Sequence, residues 1–160
     1  MLFGKKEEVL FSPATGECIP QSKIPDEAFS SGMLGTGFGV VPDTGEICAP
    51  VGGRVESVAE GKHAYAILDD AGLDILVHIG VDTVTLGGDG FYPLVKAGDR
   101  VRAGDPLCRV DLEKLRGKAL CTAIAVLITN AERIRNIEYT YGACTAGTHP
   151  AMRFRLERKG

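Results

Sequence analysis

Gly72-Leu73-Asp74-Ile75-Leu76-Val77-His78-Ile79-Gly80-Val81-Asp82-Thr83-Val84 sets one histidine inside a run that otherwise has the composition of a buried strand. A short apolar run rich in Ile and Val and bounded by glycine is consistent with a core strand, and alternation puts Leu73, Ile75, Val77 and Ile79 on one face. Asp74, Leu76 and His78 share the other. Upstream, His63-Ala64-Tyr65-Ala66-Ile67-Leu68 is a second strand-like run, and Asp69-Asp70-Ala71-Gly72 between the two has the composition of a tight turn. Together they predict a β-hairpin.

Its register decides what the histidines do. A turn pairing Asp69 with Gly72 also pairs His63 with His78, and directly opposed residues of an antiparallel pair have Cβ atoms about 4.5–5.5 Å apart. A three-residue turn with Gly72 as a bulge shifts the pairing by one and puts the two rings on opposite faces. We take the first register. A lone strand histidine is ordinarily a half-buried residue bonded to backbone. Two of the chain's three, opposed on a mostly apolar face, point instead to a joint site suited to metal binding or phosphoryl chemistry. The third, His149 in Gly147-Thr148-His149-Pro150, reads as loop.

The rest of the chain agrees with a β protein. Its 160 residues fit one domain. Its 21 glycines, about 13% against a typical ~7%, fall between short β-type runs and imply many tight turns. Val95 to Cys108 holds two Gly-Asp turns flanked by alternating apolar residues, as in a sandwich or barrel. The expected fold is therefore all-β, a compact antiparallel sandwich or barrel of short strands with one or two short helices. Candidate helices are Leu112 to Ala119 and Ala131 to Asn136, the latter behind Asn130 as N-cap. Residues 1–10 read as a short polar lead and 11–160 as the domain.

Net charge is −3, from mixed acids and bases without a basic stripe, which argues against nucleic acid as a partner. No apolar run approaches the roughly 20 residues needed to span a bilayer, and Met1 to Lys6 is too brief for a signal peptide, so a cytoplasmic location is expected. The five cysteines (Cys18, Cys48, Cys108, Cys121 and Cys144) are widely spaced, odd in number and without any CxxC. They are expected to be reduced packing residues.

Gly72 to Val84 resembles the active-site signature of the glucose-type enzyme IIA domains of the bacterial phosphoenolpyruvate-dependent sugar phosphotransferase system. Gly35-Thr36-Gly37-Phe38-Gly39-Val40-Val41-Pro42, Ala49 to Val55, Gly98-Asp99-Arg100-Val101 and Asp111-Leu112 with Ile128-Thr129-Asn130 resemble family segments in the same order. The likeness covers roughly Phe11 to Leu156 and implies a sandwich of the duplicated hybrid motif type. It also implies a phosphotransferase component with a phosphohistidine intermediate, His78 being the phosphoacceptor and His63 its stabilising partner. Phosphate would come from phospho-HPr and pass to a cysteine of an enzyme IIB domain, for coupled sugar uptake, with no cofactor required. His78 is expected to attack through Nε2 with its Nδ1 proton held by a backbone carbonyl, Gly80 being the candidate, and Asp82 is an orienting or partner-facing acid. Phe38 and Leu76 by likeness, and Val40 and Phe91 by strand face, are candidates for an apolar rim that docks partners. Two departures stand out: Gly61 replaces a threonine common two residues before the auxiliary histidine, and Ile124-Ala125 replaces a Thr-Pro.

Two other readings use the same features. A zinc hydrolase resembling lysostaphin-type peptidases would need a third protein ligand and a His-x-His pair that this chain lacks. Zn2+ held by His63 and His78 remains open if a partner's carboxylate completes it. A lipoyl- or biotin-carrying module needs a lysine at a hairpin tip, and Asp69-Asp70-Ala71-Gly72 has none.

Overall fold

The computed structural model describes residues 7–118 and 120–157. The chain runs through β1 (Glu7–Phe11), β2 (Gly16–Pro20), α1 (Glu27–Ser30), β3 (Thr36–Pro42), β4 (Glu46–Cys48), β5 (Gly53–Val58), β6 (Ala64–Asp69), β7 (Asp74–Ile79) and β8 (Phe91–Pro93). It continues through β9 (Arg100–Val101), β10 (Pro106–Val110), α2 (Leu112–Gly117), β11 (Ile124–Ile128), β12 (Ile134–Tyr139), β13 (Gly142–Cys144) and β14 (Pro150–Leu156). An eight-stranded sheet in the order β13-β2-β3-β11-β7-β6-β5-β9 is joined by two three-stranded sheets, β1-β14-β12 and β4-β10-β8. The ladders are antiparallel and enclose one main core, as the alternating sequence predicts.

At the centre, β11 is buried along its whole length. Ile124, Val126 and Ile128 face the main core with Phe38 and Val40 of β3 and Ile75, Val77 and Ile79 of β7. Ala125 and Leu127 face the opposite way and meet Ile24 and Phe29, with Ile19, Leu76 and Val81 around them. The segment between β2 and β3 thus folds over the outer face of the sheet. Small residues make room for it, because a Cβ on Gly39 would lie 2.9 Å from Cγ1 of Ile24.

The hairpin takes the other register. Ala64 pairs with His78 and Leu68 with Asp74, so a three-residue turn joins the strands and Asp69 N–H donates to the Leu73 carbonyl at 3.0 Å. Gly72 has φ +87°, a left-handed conformation that favours glycine, and an Asp69 carboxylate oxygen accepts from the N–H groups of Ala71 and Leu73, each at 2.9 Å. Turn chemistry, not strand pattern, sets the pairing here.

Helix α2 forms behind Asp111, whose carboxylate accepts from Lys114 N–H at 3.1 Å, and its expected end at Ala119 lies outside the described residues. The second expected helix does not form; Ile134–Tyr139 is β12, paired with β14. Asn130 spends its side chain elsewhere, accepting from Asp74 N–H at 2.7 Å and donating to the Gly72 carbonyl at 2.9 Å, which ties this corner to the hairpin. A helix at Glu27–Ser30 stands where none was expected, capped by Asp26. Strand β1 starts at Glu7 and Leu10 is fully buried, so the sheet begins inside the stretch read as a polar lead, of which residues 1–6 lie outside the described ones.

Candidate functional site

His78 is the penultimate residue of β7, on the outer face beside Ala125 of β11. His63 lies just ahead of β6, directly after Lys62, whose φ of +64° closes the turn from β5. In the observed register His63 shares its parity with the buried Tyr65 and Ile67, opposite to that of His78. The rings nevertheless meet, centroids 5.0 Å apart and planes at 80°. Pleat alternation governs side chains only inside a ladder, and His63 sits at its end, where the left-handed Lys62 redirects the chain. Proximity comes from the strand terminus, not from direct cross-strand pairing.

Nδ1 of His78 lies 2.9 Å from the Gly80 carbonyl oxygen. An imidazole nitrogen opposite a carbonyl must carry the proton, leaving Nε2 with its lone pair. Burial holds His78 below the ordinary histidine value, the His63 ring adds to this, and the Gly80 carbonyl and the more distant Asp26 carboxylate oppose it. His78 is therefore a neutral base with one free nitrogen. Nδ1 of His63 is enclosed and has no hydrogen-bond partner among the described residues. A Cβ on Gly61 would lie 2.8 Å from that atom, so the ring occupies the space a side chain there would claim.

Phe29 of α1 covers His78, ring centroids 4.8 Å apart. Phe91 approaches His63 at 6.4 Å. Sequence reasoning missed Phe29 and Asp26, although Pro25-Asp26-Glu27 carries a helix-start signal: a capping acid, which here accepts from Ala28 N–H at 2.9 Å, then a first-turn glutamate.

The expected rim needs correction. Phe38 and Val40 are fully buried and Phe91 nearly so, because their strand positions point into the main core. Leu76 is half-buried against the second cluster. Exposed apolar side chains stand in the segments that follow β7 and α1: Val84 of the 3-10 turn Thr83–Leu86, and Met33 and Leu34. Asp82 is exposed with φ +61° and its carboxylate does not cap that turn, so the bond orienting His78 comes from Gly80 and Asp82 faces outward. His149 Nε2 lies 2.8 Å from the Thr140 carbonyl oxygen, a structural contact away from the pair.

His63 and His78 offer two nitrogen donors to a metal. Among the described residues no group of three or more His, Cys, Asp or Glu gathers to hold one, so a tetrahedral zinc would draw its other ligands from elsewhere. All five cysteines are free, and burial pushes the Cys18 thiol up to about 12 and the Cys48 thiol to about 11, which removes those two as nucleophiles.

Comparison with known proteins gives this geometry its context. Residues 8–134 match the family described as phosphoenolpyruvate-dependent sugar phosphotransferase system, EIIA 1. The glucose-specific EIIA component of Staphylococcus aureus is 44% identical over 141 residues, covering 85% of each chain. The corresponding Staphylococcus epidermidis protein is 43% identical over 141 residues with the same coverage. The solved glucose permease IIA of Mycoplasma capricolum superposes with a TM-score of 0.88 at 33% identity, over 95% of this chain and 99% of that one. An antiparallel β-sandwich with these relatives is a phosphotransferase component, a carrier of phosphoryl groups for sugar transport. The chain belongs to the EIIA 1 family of the phosphoenolpyruvate-dependent sugar phosphotransferase system. Neither the hydrolase nor the lipoyl reading finds support. No helix among the described residues is long and apolar enough to cross a membrane.

Proposed function

We propose that His78 is the phosphoacceptor and that His63 stabilises the group in transit. The observation that carries this reading is the 2.9 Å approach of His78 Nδ1 to the Gly80 carbonyl beside a second imidazole. Nε2 of neutral His78 attacks the phosphorus of a phosphohistidine on an HPr-type carrier. The donor's N–P bond breaks as the new N–P bond forms, and the donor nitrogen recovers its electron pair. Positive charge that develops on the His78 ring is shared through its Nδ1 proton with the Gly80 carbonyl. His63 donates to the phosphoryl oxygens. The group then passes to a cysteine thiolate on an enzyme IIB domain, which returns the lone pair to Nε2. No bound cofactor takes part in either step. The Staphylococcus relatives are named glucose-specific, and we place this chain in a glucose-type system, working in the cytoplasm.

Both partners must reach one nitrogen in turn, so the site needs a shallow opening lined by apolar surface. The half-buried His78 and the exposed Val84, Met33 and Leu34 suit that requirement, with Asp82 available to a cationic partner. The test compares His78→Gln with His63→Gln after incubation with phosphoenolpyruvate, enzyme I and HPr. His78→Gln takes up no acid-labile phosphate. His63→Gln is labelled but passes the group on about 10²–10³ more slowly, as for loss of one charge-stabilising donor. Labelling of His78→Gln, or full transfer by both variants, overturns the assignment.

A further inference from the structure

Thr83 begins the 3-10 turn Thr83–Leu86 and is fully buried, whereas its neighbours Asp82 and Val84 are exposed. Its hydroxyl donates to the Ile79 carbonyl at 2.6 Å, at the residue between His78 and Gly80. Its methyl fills the space beside Gly80, where a Cβ would come within 2.4 Å of Thr83 Cγ2 and 3.0 Å of the Cys121 carbonyl oxygen. Gly80 itself has φ +79°, so its carbonyl direction depends on a conformation that its neighbours must hold. From the β11 side, the N–H groups of Gly80 and Val81 donate to the Ala123 and Cys121 carbonyls at 2.9 and 3.0 Å. These bonds fix where Gly80 sits. The Thr83 contacts close the turn behind it.

We propose that Thr83 is a positioning residue that sets the tautomer of His78 by holding the Gly80 carbonyl against Nδ1. This rests on the reading of His78 as phosphoacceptor. A neutral imidazole carries one proton, and its position follows the partner of the other nitrogen. With the carbonyl fixed at 2.9 Å the proton stays on Nδ1 and Nε2 keeps the lone pair that attacks. If the turn loosens and the carbonyl rotates away, the alternative tautomer populates and that fraction of molecules has no lone pair on Nε2. Thr83 is fully buried and acts only through the backbone between residues 79 and 83.

The test reads the tautomer directly. Nitrogen-15 spectra of histidine-labelled, unphosphorylated full-length protein report which ring nitrogen carries the proton, and phosphate uptake from phospho-HPr is measured alongside. Thr83→Val keeps the shape and removes the hydroxyl. It is expected to give mixed His78 tautomers and uptake slowed about tenfold, by analogy with the low end of the 10–100-fold lost when the group orienting a metal-ligating histidine is removed. Thr83→Ser keeps the hydroxyl and is expected to restore the Nδ1–H form and most of the rate. Wild-type nitrogen shifts in folded Thr83→Val overturn the proposal whatever its rate or melting temperature. Should Thr83→Val not fold, Thr83→Ala is read in its place, and wild-type nitrogen shifts in folded Thr83→Ala overturn the proposal equally. The spectra need no phosphoryl donor, so a wild-type Nδ1–H signal with label elsewhere than His78 refutes the phosphoacceptor reading alone.

Discussion

Phe29→Ala strips the cover from His78, and its consequences can be worked out from the packing. The Phe29 side chain is 4% exposed and belongs to the small outer cluster with Ile24, Ala125 and Leu127. Large-to-small changes of a buried phenylalanine cost about 3–5 kcal/mol, and a cluster near the surface, where water can enter the gap, belongs at about 3. For a domain of this size, that lowers the melting temperature by roughly 6–12 °C. The second effect is electrostatic. Burial is the largest cause holding His78 below its ordinary value of 6.5, so admitting water moves its titration midpoint up towards that value. The sign for stability follows. In the wild type the folded-state value lies below the unfolded one, so this group's contribution is fully present above pH 6.5 and is lost as pH falls from there through the folded-state midpoint. Phe29→Ala should flatten that acid-side slope while lowering stability throughout. Urea unfolding between pH 5 and 8, with the His78 ring followed by NMR, measures both, since histidine titrates in that range. An unchanged His78 midpoint in a folded Phe29→Ala variant would refute the claim that this ring desolvates the site.

Gly61→Ser should supply the partner that Nδ1 of His63 lacks, once the ring yields from its 2.8 Å approach to the new Cβ. The hydroxyl is expected to make Gly61→Ser about 1 kcal/mol more stable than Gly61→Ala in urea unfolding, and equal stability of the two would show that the nitrogen gains nothing from it. Among the cysteines, only Cys121 is half-exposed; the other four are buried. A thiol reagent at neutral pH should modify Cys121 rapidly in the folded protein and the others only after unfolding, and fast labelling of Cys18 or Cys48 in native protein would contradict their raised thiol values.

The amino-acid sequence by itself determined the strand class, the hairpin and the pair of imidazoles. Alternation in Ile75, Val77 and Ile79, glycine-bounded runs and the presence of two histidines in one hairpin are local properties, and local chemistry is what a sequence states directly. Gly80 as the partner of Nδ1 was legible for the same reason, being two residues from His78. Tertiary structure decided which way each face is covered. Phe38 and Val40 are alternating strand residues whichever layer they meet, and only the assembled sheets place them in the core and leave Val84 and Met33 outside. The continuous burial of β11 depends on a segment about a hundred residues upstream, Ile24 to Phe29, folding over it, which no periodicity in Ile124–Ile128 encodes. Asn130 could cap a helix or bond a distant turn, and the nearby Gly72 carbonyl and Asp74 N–H settled it as the latter. The histidines met for a reason outside the alternation rule: a one-residue shift in register, set by Asp69 and Gly72, left them on opposite parity, and they meet only at the last rung, where His63 follows the left-handed Lys62 and its carbonyl accepts from Ile79 N–H. A period of two says which neighbours share a face, but register and strand ends are fixed by turn conformation and by what packs against them.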